Sequence, residues 1–155
     1  MMKRVTILLF SALILLAGCQ RQSTFCVKGC ITGAEDQMLY LEHTALVATS
    51  VVDSCVLGED GAFSLQAPAP AYPDFYRLRV GNVSLPLAVD STETIVVTTT
   101  RDSLPYTLAI EGSEQSLAIA RLRATARTVS YDVLREEAKR LIAANPLSLS
   151  AYYAL

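Results

Sequence analysis

Phe25-Cys26-Val27-Lys28-Gly29-Cys30-Ile31-Thr32 decides the class of the fold. Phe25, Val27, Gly29 and Ile31 alternate with Cys26, Lys28, Cys30 and Thr32, the period of a strand buried on one face. Gly33-Ala34-Glu35-Asp36 reads as a turn, and residues 38–43 as a second strand. Residues 49–57 are rich in β-branched side chains and read as a third. Gly58-Glu59-Asp60-Gly61 is a hairpin loop, in which Asp-Gly supplies the positive φ of a tight turn, and residues 62–66 pair back. Pro68, Pro70 and Pro73 cannot donate to a ladder, so residues 67–74 form a linker between strands or sheets. Residues 75–80, 84–89, 94–100 and 106–110 complete about eight short strands. Short strands at near-regular spacing, with no helix between them, predict an antiparallel β-sandwich or barrel over residues 25–111.

The period changes at Glu111-Gly112. Residues 113–128 hold no Pro or Gly and are rich in Ala, Leu and Arg, with Ser113 as N-cap. Val133, Leu134, Ala138, Leu141 and Ile142 then recur at helical spacing, with Arg135, Glu136, Lys139 and Arg140 on the other side. Asn145 as N-cap and Pro146 at the first helical position predict a new helix over 147–155. Its apolar face has no later segment to cover it, so the helical connector over 112–155 is expected to be truncated. One stretch with a tetratricopeptide flavour, from Ala144 to Leu155, is a single copy and cannot build a repeat array.

Outward from the strands, the N-terminus is an address. Lys3 and Arg4 precede an apolar run over 5–17, broken only by Thr6 and Ser11. That run is shorter than the ~20 residues needed to span a bilayer. Leu16-Ala17-Gly18-Cys19 resembles the bacterial lipobox, in which small residues precede the Cys that receives diacylglycerol. Residues 1–18 are therefore expected to be a lipoprotein signal peptide, Cys19 the lipidated residue, and 19–24 a polar tether. A multiply acylated Cys19 would hold the domain at a membrane, since each buried CH₂ adds about 0.8 kcal/mol. Position 20 is Gln, not the Asp that retains many lipoproteins at the inner membrane, and the tether lacks an acidic export cluster. By analogy with lipoproteins generally, the expected location is the outer membrane, facing the periplasm.

Composition narrows the chemistry. Of 155 residues 52% are hydrophobic and 18% charged, which excludes wholesale disorder. The net charge of −2 offers no basic excess for nucleic acid. One His, four Cys and no Trp leave few ways to build a catalytic or metal site. Cys26 and Cys30 are spaced C-x₃-C, not C-x-x-C. Four residues apart on a strand is ~13 Å, beyond the ~7 Å between Cα atoms that a disulfide tolerates. Cys55 on a neighbouring strand is the candidate partner of Cys26 or Cys30 in one structural disulfide, the alternative being buried free thiols. His43 alone makes no metal site. Asp53 with residues 58–61 lacks the D-x-[DN]-x-[DN]-G series of a calcium loop. No cofactor and no metal are expected. Arg121, Arg123, Arg127, Arg135 and Arg140 make a mildly basic helical face, balanced by Glu136 and Glu137.

Lys28-Gly29-Cys30-Ile31-Thr32-Gly33, Tyr40-Leu41, Val52-Asp53-Ser54, residues 60–65 and residues 73–78 follow the lipobox in order. Together they resemble the N-terminal domain of unknown function that precedes a thioredoxin-like domain in lipoproteins of anaerobic Gram-negative bacteria. In that family the redox chemistry belongs to the later domain, with its W-C-x-x-C site. This chain has neither Trp nor C-x-x-C, so no catalytic residue carries over. The resemblance implies a non-catalytic, lipid-anchored envelope module: a spacer, or a binding or dimerisation domain with a homodimer or an envelope protein as partner. A fragment of a thiol-disulfide oxidoreductase is the second reading. A carbohydrate- or peptide-binding sandwich using Tyr72 and Tyr76 is the third.

Overall fold

A computed structural model describes residues 23–155. Cys19, the expected signal peptide and most of the expected tether lie outside the described residues. Eight strands form two four-stranded sheets, followed by helices. The strands are β1 (Thr24–Thr32), β2 (Met38–Thr44), β3 (Thr49–Val56), β4 (Ala62–Pro68), β5 (Asp74–Val80), β6 (Val83–Val89), β7 (Thr94–Thr100) and β8 (Ile110–Glu111). One sheet has the order β4-β1-β7-β8 and the other β3-β2-β5-β6. All pairings are antiparallel except β1 with β7, which run parallel.

The alternation in the sequence is the alternation of burial. Phe25, Val27 and Ile31 of β1 point inward with Phe63, Leu65, Ile95 and Val97. They meet Leu39, Leu41, Leu78, Val80, Leu85 and Leu87 of the second sheet in one continuous core. The Phe25 and Tyr76 rings meet edge to face, with centroids 4.7 Å apart.

Strand directions give the sandwich two distinct ends. The N-terminus at Ser23 shares one end with the connections 45–48, 69–73 and 90–93, tied there by Ala69 N–H to Ser23 O (2.8 Å) and Cys26 N–H to Glu93 O (3.0 Å). Connections 33–37, 57–61, 81–82 and 101–103 lie at the other, joined by Asp36 N–H to Leu57 O and Arg101 N–H to Thr32 O, both 2.9 Å.

Two edges are closed by side chains. Helix α1 (Glu114–Thr125) packs along the edge strand β6. The Ser116 hydroxyl accepts from Ala88 N–H (3.0 Å) and donates to Ala88 O (3.1 Å), and the Ser113 hydroxyl also donates to Ala88 O (3.1 Å). Ser113 caps α1 as expected, its oxygen accepting from Ser116 N–H. Pro86 is tolerated in β6 because that strand is an edge. On the opposite edge the Asp53 carboxylate accepts from Gln66 N–H of β4 (2.8 Å), joining the two sheets at their corner.

Three local expectations are corrected. The strand expected over 106–110 is a 3₁₀ turn (Leu104–Tyr106), and β8 pairs only Ile110 and Glu111 with β7. Pro105 favours the turn by fixing φ and lacking an N–H. The last helix, α3 (Leu149–Tyr153), starts later than Asn145-Pro146 suggests. Asn145 instead ends α2 (Tyr131–Ala144), and Ser148 caps α3 by accepting from Ala151 N–H (3.1 Å). Tyr76, offered as an exposed platform, is 6% exposed and belongs to the core, whereas Tyr72 is 82% exposed.

Candidate functional site

The three described cysteines are free thiols, and the fold separates them. Cys26 and Cys30 occupy the positions of β1 that alternate with buried Phe25, Val27 and Ile31, so they face outward. Cys26 Sγ lies 3.7 Å from Ser64 Oγ, and Cys30 Sγ donates to Asp60 O at 3.0 Å. Cys55 lies on β3 in the other sheet and packs against the core. In this structure Cys55 is paired with neither Cys26 nor Cys30: both point away from the core on the outside of the first sheet, while Cys55 packs against the core from the second. Burial, with the Asp53 charge adding to it, pushes the Cys55 thiol above its ordinary range. Alkylation of the native protein should accordingly modify Cys26 and Cys30 well before Cys55, read by peptide mass mapping. A disulfide peptide containing Cys55 would contradict this placement.

The acidic and basic candidates are engaged in the fold. His43 Nε2 and Asp74 Oδ2 lie 2.7 Å apart, and the His43 ring is tilted against Tyr76 at 5.1 Å. Asp53 holds Gln66 and Ser54 amides, and Asp60 Oδ1 accepts from Ala62 N–H at 3.0 Å inside the 58–61 turn. Among the described residues no group of three or more His, Cys, Asp or Glu side chains is placed to hold a metal.

A cluster that the periodicity did not single out lies on the outer face of the second sheet. Glu42 is 4% exposed although it is a carboxylate. Its two oxygens accept from Arg77 Nε (2.5 Å) and Arg79 Nε (2.8 Å). The Arg79 guanidinium also sits 4.3 Å from the Tyr40 ring centroid. The register shift between Leu41 and Glu42 marks a bulge in the β2–β3 pairing at this point. Burial raises the Glu42 carboxyl, but the hydrogen bonds and charges of Arg79 and Arg77 outweigh it and hold it below 4.5.

Below this cluster a groove of about 860 Å³ runs between β5–β6 and α3. Phe75 forms part of its wall, with ring centroids 6.0 Å from Tyr152 and 6.1 Å from Tyr153. Arg123 of α1 donates to the Tyr153 hydroxyl (3.0 Å) and to Pro105 O (3.2 Å), anchoring α3 beside the sheet. Of the other expected basic positions, Arg127 stacks 4.0 Å above the Tyr106 ring, Arg135 pairs with Asp132, Arg140 pairs with Glu137, and Arg121 is exposed. At its open end the groove meets Leu46 and Val47, which are 97% and 98% exposed on the β2–β3 loop. The groove thus has an aromatic wall and two cations, Arg77 and Arg123, each already engaged by another side chain. No helix among the described residues is long and apolar enough to cross a membrane.

No curated protein matches the chain. Among solved structures it is similar to an (S)-allantoin synthase at 10% identity and TM-score 0.37, over 52% of this chain and 42% of that one. It is also similar to a 9R-lipoxygenase from Cyanothece PCC8801 at 9% identity and TM-score 0.36, over 91% of this chain and 28% of that one. The chain thus spans less than half the length of either protein, and neither likeness carries an argument about function. Residues 25–117, which take in the first turn of α1 and all of the sandwich but Thr24, match one family. The chain belongs to the family described as Domain of unknown function (DUF4369).

Proposed function

We propose that this protein is a non-catalytic, lipid-anchored module of a Gram-negative cell envelope, a spacer or binding domain that works beside a thioredoxin-like protein. The observation that carries the reading is the separation of its thiols. Thiol-disulfide exchange proceeds through a mixed disulfide, which a second, adjacent thiol must resolve. Cys26 and Cys30 are four residues apart on one strand, and Cys55 is in the other sheet. The engagement of His43, Asp53 and Asp60 in structural contacts supports the same reading. So do Lys3, Arg4 and Leu16-Ala17-Gly18-Cys19, which favour export and acylation. The aromatic groove beside α3 is the surface this reading assigns to contact with a partner.

The test is the reduction of insulin by dithiothreitol in the presence of the purified protein. The expected rate is the background rate. Clear turnover that disappears in Cys26→Ser or Cys30→Ser would overturn the reading in favour of an oxidoreductase.

A further inference from the structure

The end of the sandwich that carries the N-terminus also carries its most exposed apolar loop tips. At the end that carries Ser23, the segments 44–50 and 67–73 contain no charged residue. Their tips expose Leu46 (97%), Val47 (98%) and Tyr72 (82%). The other connections at this end are polar: Asp90 is exposed, Glu93 folds back to accept from Asp90 N–H, and exposed Glu111 and Glu114 flank the turn from β8 into α1. At the far end the connections carry Glu35, Asp36, Glu59, Asp60 and Asp102 against a single cation, Arg101.

Large apolar side chains almost wholly in water, on two adjacent loops, call for a covering partner. The chain outside the structure says which. Four peptide units separate Cys19 from Ser23 and reach at most about 14 Å. A lipid on Cys19 therefore brings this end, and not the opposite one, against the bilayer. An aliphatic pair and a tyrosine are the residue types that enter a headgroup boundary.

We infer that the 45–48 and 69–73 loops form a membrane-contact surface, with Leu46 and Val47 inserted at the headgroup–acyl boundary and Tyr72 at headgroup level. The inference rests on the acylation of Cys19 proposed above. The occupant is the lipid bilayer; a second copy of the chain or another protein is the competing occupant. The surface fixes how the domain stands: sandwich upright on the membrane, the 33–37, 57–61 and 101–103 connections facing away.

The absence of Trp from the sequence makes a direct test available. Val47→Trp and Glu59→Trp each create a sole tryptophan, at the two opposite ends and on exposed positions where the fold is not disturbed. The full acylated proteins are reconstituted in phosphatidylethanolamine–phosphatidylglycerol vesicles, with and without acyl-chain brominated lipid. The expected result is a blue-shifted emission for Val47→Trp that brominated lipid quenches, and an unshifted, unquenched emission for Glu59→Trp. Intact mass in the same sample reports the lipid on Cys19. A lipidated protein in which both positions stay unquenched overturns this inference and leaves the anchor standing. A blue shift at position 47 without quenching overturns it in favour of a protein partner. A mass without lipid overturns the anchor and this inference together.

Discussion

Replacing Gly29 by alanine should cost the domain more than about 3 kcal/mol, enough to remove most of the stability of a small domain. Gly29 sits in the middle of β1, the strand that holds β4 on one side and β7 on the other. Its φ of 146° lies in a region that side-chain-bearing residues rarely adopt. A Cβ there would stand 1.9 Å from Val97 O and 3.0 Å from Val97 N. Both are backbone atoms of the adjoining strand, so no side chain can rotate away. Relief requires β1 and β7 to separate, and their parallel register carries the first sheet. Urea denaturation of Gly29→Ala should show a midpoint far below that of the unsubstituted protein, or no soluble protein at all. An unchanged midpoint would mean that β1 does not lie on β7 in this register.

The second large effect is expected at Glu42. Glu42→Ala leaves Arg77 and Arg79 on the outer sheet face without their shared acceptor. Both arginines are about one-third exposed, at 35% and 29%, so water relieves part of the loss. The expected cost is about 1–3 kcal/mol. The same pair sets an acid limb. Because the folded carboxyl is held below 4.5, the unfolded chain binds the proton first as pH falls. The stabilisation is fully present above pH 4.5 and is lost as pH falls through the lower folded value. Thermal unfolding followed from pH 7 to pH 3 should show this limb, and Glu42→Gln should flatten it. An equal acid response in the unsubstituted and Glu42→Gln proteins would contradict the pairing.

Much of this architecture was legible in the residues. The alternation in β1 predicts which side chains are buried, because a strand with one wet face must sort its residues by period two. The change of period at Glu111-Gly112 marks where helix begins, and Ser113 was readable as a cap. Other features depend on distant partners. Ser116 reads as an ordinary helical serine, yet it satisfies both backbone groups of Ala88, 28 residues away. Glu42 reads as the polar member of a strand; its burial follows from Arg77 and Arg79 arriving 35 and 37 residues later. Tyr76 carries the same aromatic signal whether it faces water or core, and only its pairing with Phe25 decides. The parallel β1–β7 pair has no local signature at all, since the return from β1 to β7 passes through the entire second sheet. For the cysteines, spacing alone excludes a Cys26–Cys30 bridge. That Cys55 lies across a sheet from both is a property of topology.

A lipid on Cys19 would tie the address, the orientation and the role of the sandwich together. The most direct measurement is mass spectrometry of the protein purified from a Gram-negative host. The predicted result is a mature N-terminus at a lipid-modified Cys19, with the lipid lost in Cys19→Ala. An unmodified N-terminus at Met1 would contradict the account.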